Sequence, residues 1–138
     1  MTNTILEDRA SPLASYPHAR RAGDFLFLCG TSSRRADNSH AGVTLDADGA
    51  VQRDIAEQTR AVIENMAAIL EAAGGGLGDL VDITTFLTDM QDFQAYNAAY
   101  NEYFDAETGP ARTTVGASEL PHPNLLIEMK GIAYLPRG

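Results

Sequence analysis

Residues 81–104, which read VDITTFLTDMQDFQAYNAAYNEYF, decide the fold class because the hydrophobic period changes within them. Residues 81–87 alternate in polarity and are rich in threonine, which predicts a β-strand. Residues 92–104 repeat their aromatic side chains every three or four positions, which predicts a helix with one buried face. The repeating side chains are Phe93, Tyr96, Tyr100 and Phe104. A strand followed at once by a helix indicates an α/β or α+β domain.

A second helix is predicted upstream of this stretch. Its apolar side chains lie on one helical face at Ile55, Val62, Met66, Ile69 and Ala73. Asp54 is the expected N-cap, and Glu57 follows three residues later as in a capping box. The glycine run 74–78 after this face is typical of a helix C-cap and turn.

The remaining apolar segments complete a mixed sheet. Phe25–Cys29 is apolar throughout and predicts a buried central strand, with residues 19–22 as its hairpin partner. Residues 113–117 and 125–134 are the last two strands. The predicted fold is therefore α+β (α/β mixed), one domain over 1–138 with both helices on one face of the sheet and a loosely ordered N-terminal arm over 1–14. The other apolar face stays open, so we expect a second copy of the chain to cover it.

Composition limits the partners. The 138 residues carry a formal net charge of -9, which opposes nucleic-acid binding and attraction to anionic membrane surfaces. No apolar run approaches the length of a membrane helix, and the N-terminus lacks the features of a signal peptide. Cys29 is the single cysteine, so no internal disulfide is possible and we expect a cytoplasmic protein. A small anion remains a possible ligand where cations are concentrated locally.

Two charged residues stand out in the C-terminal strands. Arg112 opens a strand after Gly109-Pro110-Ala111, where its guanidinium can bind a carboxylate through two hydrogen bonds. Glu128 lies between Ile127 and Met129 in a largely apolar strand, where a carboxylate can position or activate water. The alternatives are a surface salt bridge for Arg112 and a structural ion pair for Glu128, with Lys130 or an arginine.

Other polar residues give weaker signals. Cys29 ends a strand and is alternatively an inert core thiol, while Gly30 and Thr31 after it can offer backbone N–H groups to an anion. The three histidines do not follow any metal-binding spacing, and no nucleotide-binding glycine motif is present. We therefore expect neither a metal nor an organic cofactor.

From about residue 16 to residue 134 the chain resembles the Rid family, the RidA/YjgF-like enamine and imine deaminases. Several motifs in register carry this resemblance. They are Phe27–Gly30, the helix Gln58–Gly74, Thr84–Phe93, Tyr96–Phe104, Pro110–Arg112 and Ile127–Glu128. The resemblance implies a six-stranded mixed sheet backed by two helices, like chorismate mutase of the Bacillus type. It also implies a homotrimer, or a hexamer, with active sites between subunits.

The resemblance also implies roles for individual residues. Arg112 matches the arginine that binds the substrate carboxylate, and Glu128 matches the glutamate that holds the hydrolytic water. The pocket of the family would be lined here by Tyr16, Cys29, Gly30, Phe86 and Thr114. Many members carry cysteine where this chain has Thr114, and serine where it has Cys29, so no thiol chemistry is expected at position 114.

Within the family the chain resembles the 2-aminomuconate deaminases, on Ser15–His18, Gly30–Arg35, Asn65, Gly109–Val115 and Leu120–Pro123. This subgroup implies hydrolysis of 2-aminomuconate to 2-oxohex-3-enedioate (4-oxalocrotonate) and ammonia in aromatic-compound catabolism. The second carboxylate of that substrate would bind Arg34, Arg35, His18 or His122. The alternatives are a general deaminase of 2-aminoacrylate-type enamines and imines, and a non-enzymatic metabolite-binding or chaperone-like protein.

Overall fold

A six-stranded mixed sheet forms the centre of the computed structural model, which describes residues 1–137. Its strands are β1 (Asn3–Thr4), β2 (Ala19–Ala22), β3 (Phe25–Leu28), β6 (Leu80–Leu87), β7 (Ala111–Gly116) and β8 (Ile127–Tyr134). Their order across the sheet is β1-β2-β3-β8-β6-β7. Only β6 and β7 pair in parallel, and every other neighbouring pair is antiparallel. The predicted α+β fold and mixed sheet are therefore confirmed.

Two helices cover one face of the sheet: α1 (Ile55–Ala72) and α2 (Phe93–Tyr100). The side chain of Asp54 accepts a hydrogen bond from Glu57 N–H, as the predicted N-cap requires. Val62, Met66 and Ile69 of the predicted helical face are buried in the core. The core on the sheet side is formed by Ile83, Leu87, Ile127 and Met129.

Three elements differ from the sequence-based expectation. The second helix begins at Phe93 after a short 3₁₀ turn over Met90–Asp92, and it ends at Tyr100, although Phe104 still packs against the core. A separate hairpin of β4 (Val43–Leu45) and β5 (Val51–Arg53) was not expected. Its strands are short and mostly exposed, so they lack the apolar alternation that would reveal them.

Residues 1–14 also differ from the loose arm that the sequence predicts. Strand β1 pairs with β2, and Leu6 is buried in the core. The guanidinium of Arg9 donates to Asn65 Oδ1 over 3.0 Å. These contacts hold the segment against the domain, and few of them are visible as a hydrophobic period in the sequence.

The second face of the sheet exposes aromatic side chains. Phe25 is 43% exposed, Phe27 44% and Tyr134 45%. The predicted central strand Phe25–Cys29 is therefore buried on one side only, because β3 turns its phenylalanines away from the helices. Within the described residues, no helix has the length and apolar composition needed to cross a membrane.

Candidate functional site

Arg112 lies on the edge strand β7 and points towards α2. Its guanidinium carbon is 4.7 Å from the ring centroid of Tyr100, 4.8 Å from that of Tyr96 and 5.8 Å from that of Phe93. The ion pairs found among residues 1–137 involve Arg60, and none involves Arg112. The surface salt bridge considered for Arg112 is therefore not present in the described chain. Aromatic faces hold the cation while leaving its hydrogen-bond donors open to a carboxylate.

The ring of Tyr96, which contacts the Arg112 guanidinium, is itself held in place by hydrogen bonds. Its side chain is fully buried, and its hydroxyl lies 2.6 Å from Thr85 Oγ1 and 3.3 Å from Thr114 Oγ1. The hydroxyl of Thr114 therefore points towards the aromatic side chains of α2 that contact Arg112. Thr114 and Arg112 lie on the same face of β7, since alternate residues of a strand share a face.

Replacing Tyr96 by phenylalanine should lower the free energy of unfolding by about 1–2 kcal/mol, because the buried Thr85 hydroxyl loses its partner. Urea denaturation measures this change. Tyr103→Phe is the matched control, since its hydroxyl bonds to Glu64 at the exposed surface. We expect the control to change stability by less than about 0.5 kcal/mol. Equal losses in the two variants would contradict a structural role for the Tyr96 hydroxyl.

Glu128 lies on β8 and points to the face without helices. It pairs across the sheet with Phe86 of β6, which is half-buried on the same face. No hydrogen bond or ion pair to the Glu128 carboxylate occurs within residues 1–137, so the structural ion pair considered from the sequence is not formed there. Burial raises the pKa of this carboxyl above its usual range.

Gly30 allows the Glu128 carboxylate to approach the chain closely. A Cβ atom at position 30 would lie 2.1 Å from Glu128 Oε1. The N–H of Gly30 takes part in no backbone hydrogen bond of the described chain, whereas Thr31 N–H donates to Met129 O over 2.7 Å. Of the two backbone donors expected from the sequence, only that of Gly30 remains open to a ligand.

Glu128 faces a cleft of about 430 Å³ that collects several of the predicted residues. Its lining includes Tyr16, Gly30, Arg34, His40, His122 and Glu128. Arg35, considered as an alternative cation, lies outside this lining. His40 is a residue that sequence reasoning missed, because 82 positions separate it from His122 and no spacing motif connects them.

A smaller cavity of about 60 Å³ lies beside the cleft, under the N-terminal segment. Cys29, Thr31 and His18 line it. Burial raises the pKa of the Cys29 thiol, so the thiol stays protonated near neutral pH. Cys29 therefore fits the inert alternative better than a reactive role.

The placement of His18 corrects its predicted role in substrate binding. Its Nδ1 accepts a hydrogen bond from Leu6 N–H over 3.1 Å, so Nδ1 carries no proton. Its Nε2–H then donates to Ala10 O over 2.8 Å. Both ring nitrogens are occupied, and His18 anchors the N-terminal segment instead of offering an atom to a ligand.

Arg112 and Glu128 do not face the same space within one chain. Arg112 packs against α2 on the helical face, while Glu128 faces the opposite side two strands away. The strand β6 separates them, with Ile83 opposite Arg112 and Phe86 opposite Glu128. The structure therefore brings Glu128 together with Tyr16 and Gly30, and it leaves Arg112 and Thr114 apart from them. Among residues 1–137, no cluster of three or more potential metal ligands occurs.

The chain is similar in sequence and in fold to known proteins. A family model described as Endoribonuclease L-PSP matches residues 6–135. A RutC family protein of Pyrococcus horikoshii is 41% identical over 128 residues, which are 93% of each chain. The 2-iminobutanoate/2-iminopropanoate deaminase of Salmonella typhimurium is 42% identical over 87 residues, 62% of this chain and 67% of that enzyme. The solved structure of E. coli TdcF with bound serine is similar over 100% of both chains, with a TM-score of 0.80 and 26% identity.

Proposed function

This chain belongs to the Endoribonuclease L-PSP family, which is the same group as the Rid family that its sequence motifs resemble. We propose that it hydrolyses 2-imino acids and their enamine tautomers. A relative named as a 2-iminobutanoate/2-iminopropanoate deaminase supports this reaction class. The observation that carries the proposal is Glu128, a half-buried carboxylate that has no protein partner among residues 1–137 and lies beside the open N–H of Gly30. Such a group is suited to hold and deprotonate water.

The reaction needs one water and no redox step. Water adds to the C=N carbon, and the resulting carbinolamine expels ammonia to leave a 2-oxo acid. Glu128 accepts a proton from the water as the C–O bond forms and passes it to the imine nitrogen. It then transfers the hydroxyl proton of the carbinolamine to the amino group, which leaves as ammonia as the C=O bond forms. Its raised pKa brings this carboxyl closer to the pH at which it must exchange protons.

Arg112 would bind the carboxylate next to the reacting carbon. Two parallel hydrogen bonds from its guanidinium fix the orientation of the substrate, and its charge offsets that of the carboxylate. Because Arg112 and Glu128 lie on opposite faces of one sheet, we infer that Arg112 of one copy meets Glu128 of the next. The active site is then incomplete in an isolated chain.

The exposed aromatic face supports this assembly. The rings of Phe25 and Tyr134 are in tilted contact, with centroids 5.4 Å apart and an interplanar angle of 59°, and Phe27 lies on the same face. A second copy that places its β7 edge on this face would bury these side chains and bring Arg112 towards the cleft. A heterologous contact of this kind closes a ring when the rotation between copies permits it. The resemblance to the Rid family implies a ring of three, so we propose a homotrimer, which can also pair into a hexamer.

A narrower candidate is 2-aminomuconate, which needs a site for a second carboxylate. Arg34 lines the cleft without an acidic partner within residues 1–137, and this observation favours a dicarboxylate. The general 2-imino acid deaminase remains the first candidate because a relative is named for monocarboxylate imines. RNA cleavage, which the family description names, is opposed by the net charge of -9.

Ammonia release tests the proposal. The 2-imino acid is generated in situ by oxidation of 2-aminobutanoate, and 2-aminomuconate is supplied in a parallel assay. We expect the purified protein to accelerate the release of ammonia from at least the first substrate. Binding of the 2-oxo acid without any acceleration would instead support the non-enzymatic metabolite-binding alternative.

Replacing Gly30 by alanine should lower kcat/KM by about 10–100-fold with little loss of stability. The new Cβ would displace the flexible end of Glu128, and small misplacements of a reacting group cost rates of this order. Steady-state kinetics and thermal unfolding measure the two effects. Gly78→Ala is the control, because a Cβ there meets nothing within 4 Å. Full activity of Gly30→Ala would show that the position of this carboxylate is unimportant.

A further inference from the structure

A completely buried carboxamide on α1 connects this helix to the loop that leads into β8. The side chain of Gln58 donates from Nε2 to Asn124 O over 2.9 Å and accepts at Oε1 from Leu126 N–H over 2.9 Å. These partners lie 66 and 68 positions further along the chain, so both ends of one amide hold the same loop. The orientation of the amide is fixed, because a carbonyl oxygen only accepts and a backbone N–H only donates.

The side chain of Gln58 is itself held in one position. A Cβ atom at position 42 would lie 2.7 Å from Gln58 Cγ and 2.9 Å from Gln58 N, so only glycine fits there. The φ angle of Gly42 is +74°, and its carbonyl oxygen accepts from Asp54 N–H over 2.8 Å. The backbone at Gly42 therefore packs directly on the stem of Gln58 and restricts the amide to its two contacts.

The loop that Gln58 holds, residues 121–126, forms one wall of the cleft beside Glu128, and we call it the wall loop. Its residues that line the cleft are Pro121, His122 and Leu125. Leu125 N–H donates to His122 O over 3.0 Å, and Asn124 N–H donates to His122 Nδ1 over 3.0 Å. These bonds shape the turn from within, but they do not attach it to the domain.

Contacts with other elements attach the wall loop to the domain. Arg53 donates to Pro123 O over 2.7 Å at the exposed surface, and Thr88 N–H donates to Leu126 O over 3.1 Å. Gln58 adds two bonds from a buried side chain. Breaking them leaves buried polar groups unsatisfied, so it costs more than breaking the exposed contact of Arg53.

We propose that Gln58 is a positioning residue of the active site, which holds the wall loop where it contacts the side chain of the substrate. This inference rests on the proposed deaminase function. Glu128 does not depend on Gln58, because it pairs with Phe86 in the sheet and its neighbour Met129 exchanges both backbone hydrogen bonds with Thr31. Loss of Gln58 should therefore raise KM and leave kcat nearly unchanged, most strongly for substrates with a long side chain.

Binding of 2-oxo acid products tests this role without any turnover. Calorimetry compares 2-oxohexanoate, which has a butyl side chain, with pyruvate, which has a methyl group. Gln58→Met keeps the length of the side chain and removes both hydrogen bonds. We expect it to weaken binding of 2-oxohexanoate about 10-fold and that of pyruvate less than about 2-fold, since each apolar contact in a pocket contributes on this scale. Steady-state kinetics with the matching imines should show the same change in KM.

Gln58→Glu provides a rescue that depends on pH. A protonated carboxyl group donates to Asn124 O and accepts from Leu126 N–H, whereas a carboxylate only accepts. Burial raises the pKa of a carboxyl introduced at this position. Relative to the wild type at the same pH, the variant should bind 2-oxohexanoate normally at about pH 5.5 and as weakly as Gln58→Met at about pH 9. A role in packing alone would not respond to pH in this way.

Thr59→Val is the matched control. Thr59 is as deeply buried as Gln58, and its hydroxyl donates to Ile55 O over 2.8 Å within α1. The control should lose some thermal stability and keep its affinity for both acids. Unchanged binding of 2-oxohexanoate by folded Gln58→Met, equal weakening for both acids, or the same weakening in Thr59→Val would overturn the positioning role. Selective weakening in a protein that releases no ammonia would overturn the deaminase function and leave the positioning role standing.

Discussion

An Arg112→Ala variant is expected to lose about 10²–10³-fold in kcat/KM for 2-iminobutanoate. Removing one partner of a desolvated charge pair costs about 2–5 kcal/mol, and every 1.4 kcal/mol corresponds to a factor of ten. The loss should raise KM strongly and should also lower kcat, because the substrate is no longer held in a reactive orientation. Steady-state kinetics with the imine generated in situ measures both parameters.

Arg112→Lys separates charge from geometry. A lysine keeps the positive charge but cannot form the bidentate contact, so we expect an intermediate loss of about 10-fold or more. Thermal unfolding of each variant serves as the control, since Arg112 also contacts the rings of Tyr96 and Tyr100. Near-normal kcat/KM in a folded Arg112→Ala protein would exclude this residue as the carboxylate ligand.

A Glu128→Gln variant should lower kcat by about 10²–10⁴-fold with a small change in KM. The amide has the shape of the carboxyl group but cannot accept the proton of water, and general base catalysis contributes on this scale. The two variants differ in which parameter changes: Glu128→Gln should mainly lower kcat, whereas Arg112→Ala should also raise KM strongly. Normal turnover in Glu128→Gln would exclude Glu128 as the proton acceptor.

The same variant should be more stable than the wild type near neutral pH. Burial raises the pKa of Glu128 in the folded protein, so ionisation is less favourable there than in the unfolded chain. The wild type therefore loses stability as pH rises through the unfolded and then the folded pKa, whereas the variant has no such group. At pH values below both pKa values the two proteins should converge, and urea denaturation across pH checks this.

Most of the fold could be predicted from the sequence, because the long helix and the long strands carry regular patterns of apolar side chains. The helical face of α1 and the alternation of β6 and β8 bury large side chains, so their patterns survive in the structure. The hairpin β4–β5 and the N-terminal strand were not predicted. Both depend on backbone pairing and on single polar contacts, such as Leu6 N–H with His18, that leave no hydrophobic period.

The candidate site was predicted in part. Arg112 and Glu128 could be selected because a single charged side chain in an apolar strand is costly unless it is paired or used. The structure leaves both without an ion-pair partner in the described chain. The aromatic support of Arg112 by Tyr96 and Tyr100 was hidden, since the helical pattern of these rings indicates only burial. His40 and the true contacts of His18 depend on tertiary neighbours, which no local spacing reveals.

We propose that one active site combines Arg112 of one copy with Glu128 of its neighbour. Mixing the inactive Arg112→Ala and Glu128→Gln proteins after dissociation and reassembly tests it most directly. In a random 1:1 mixture of cyclic trimers about three quarters are hybrids, and each hybrid holds one site with both residues intact. We expect deaminase activity to recover to about a quarter of the wild-type value, because one third of the sites in three quarters of the trimers are intact. Activity that stays at the level of the two parent variants, in a mixture proven to contain hybrids, would contradict the shared site.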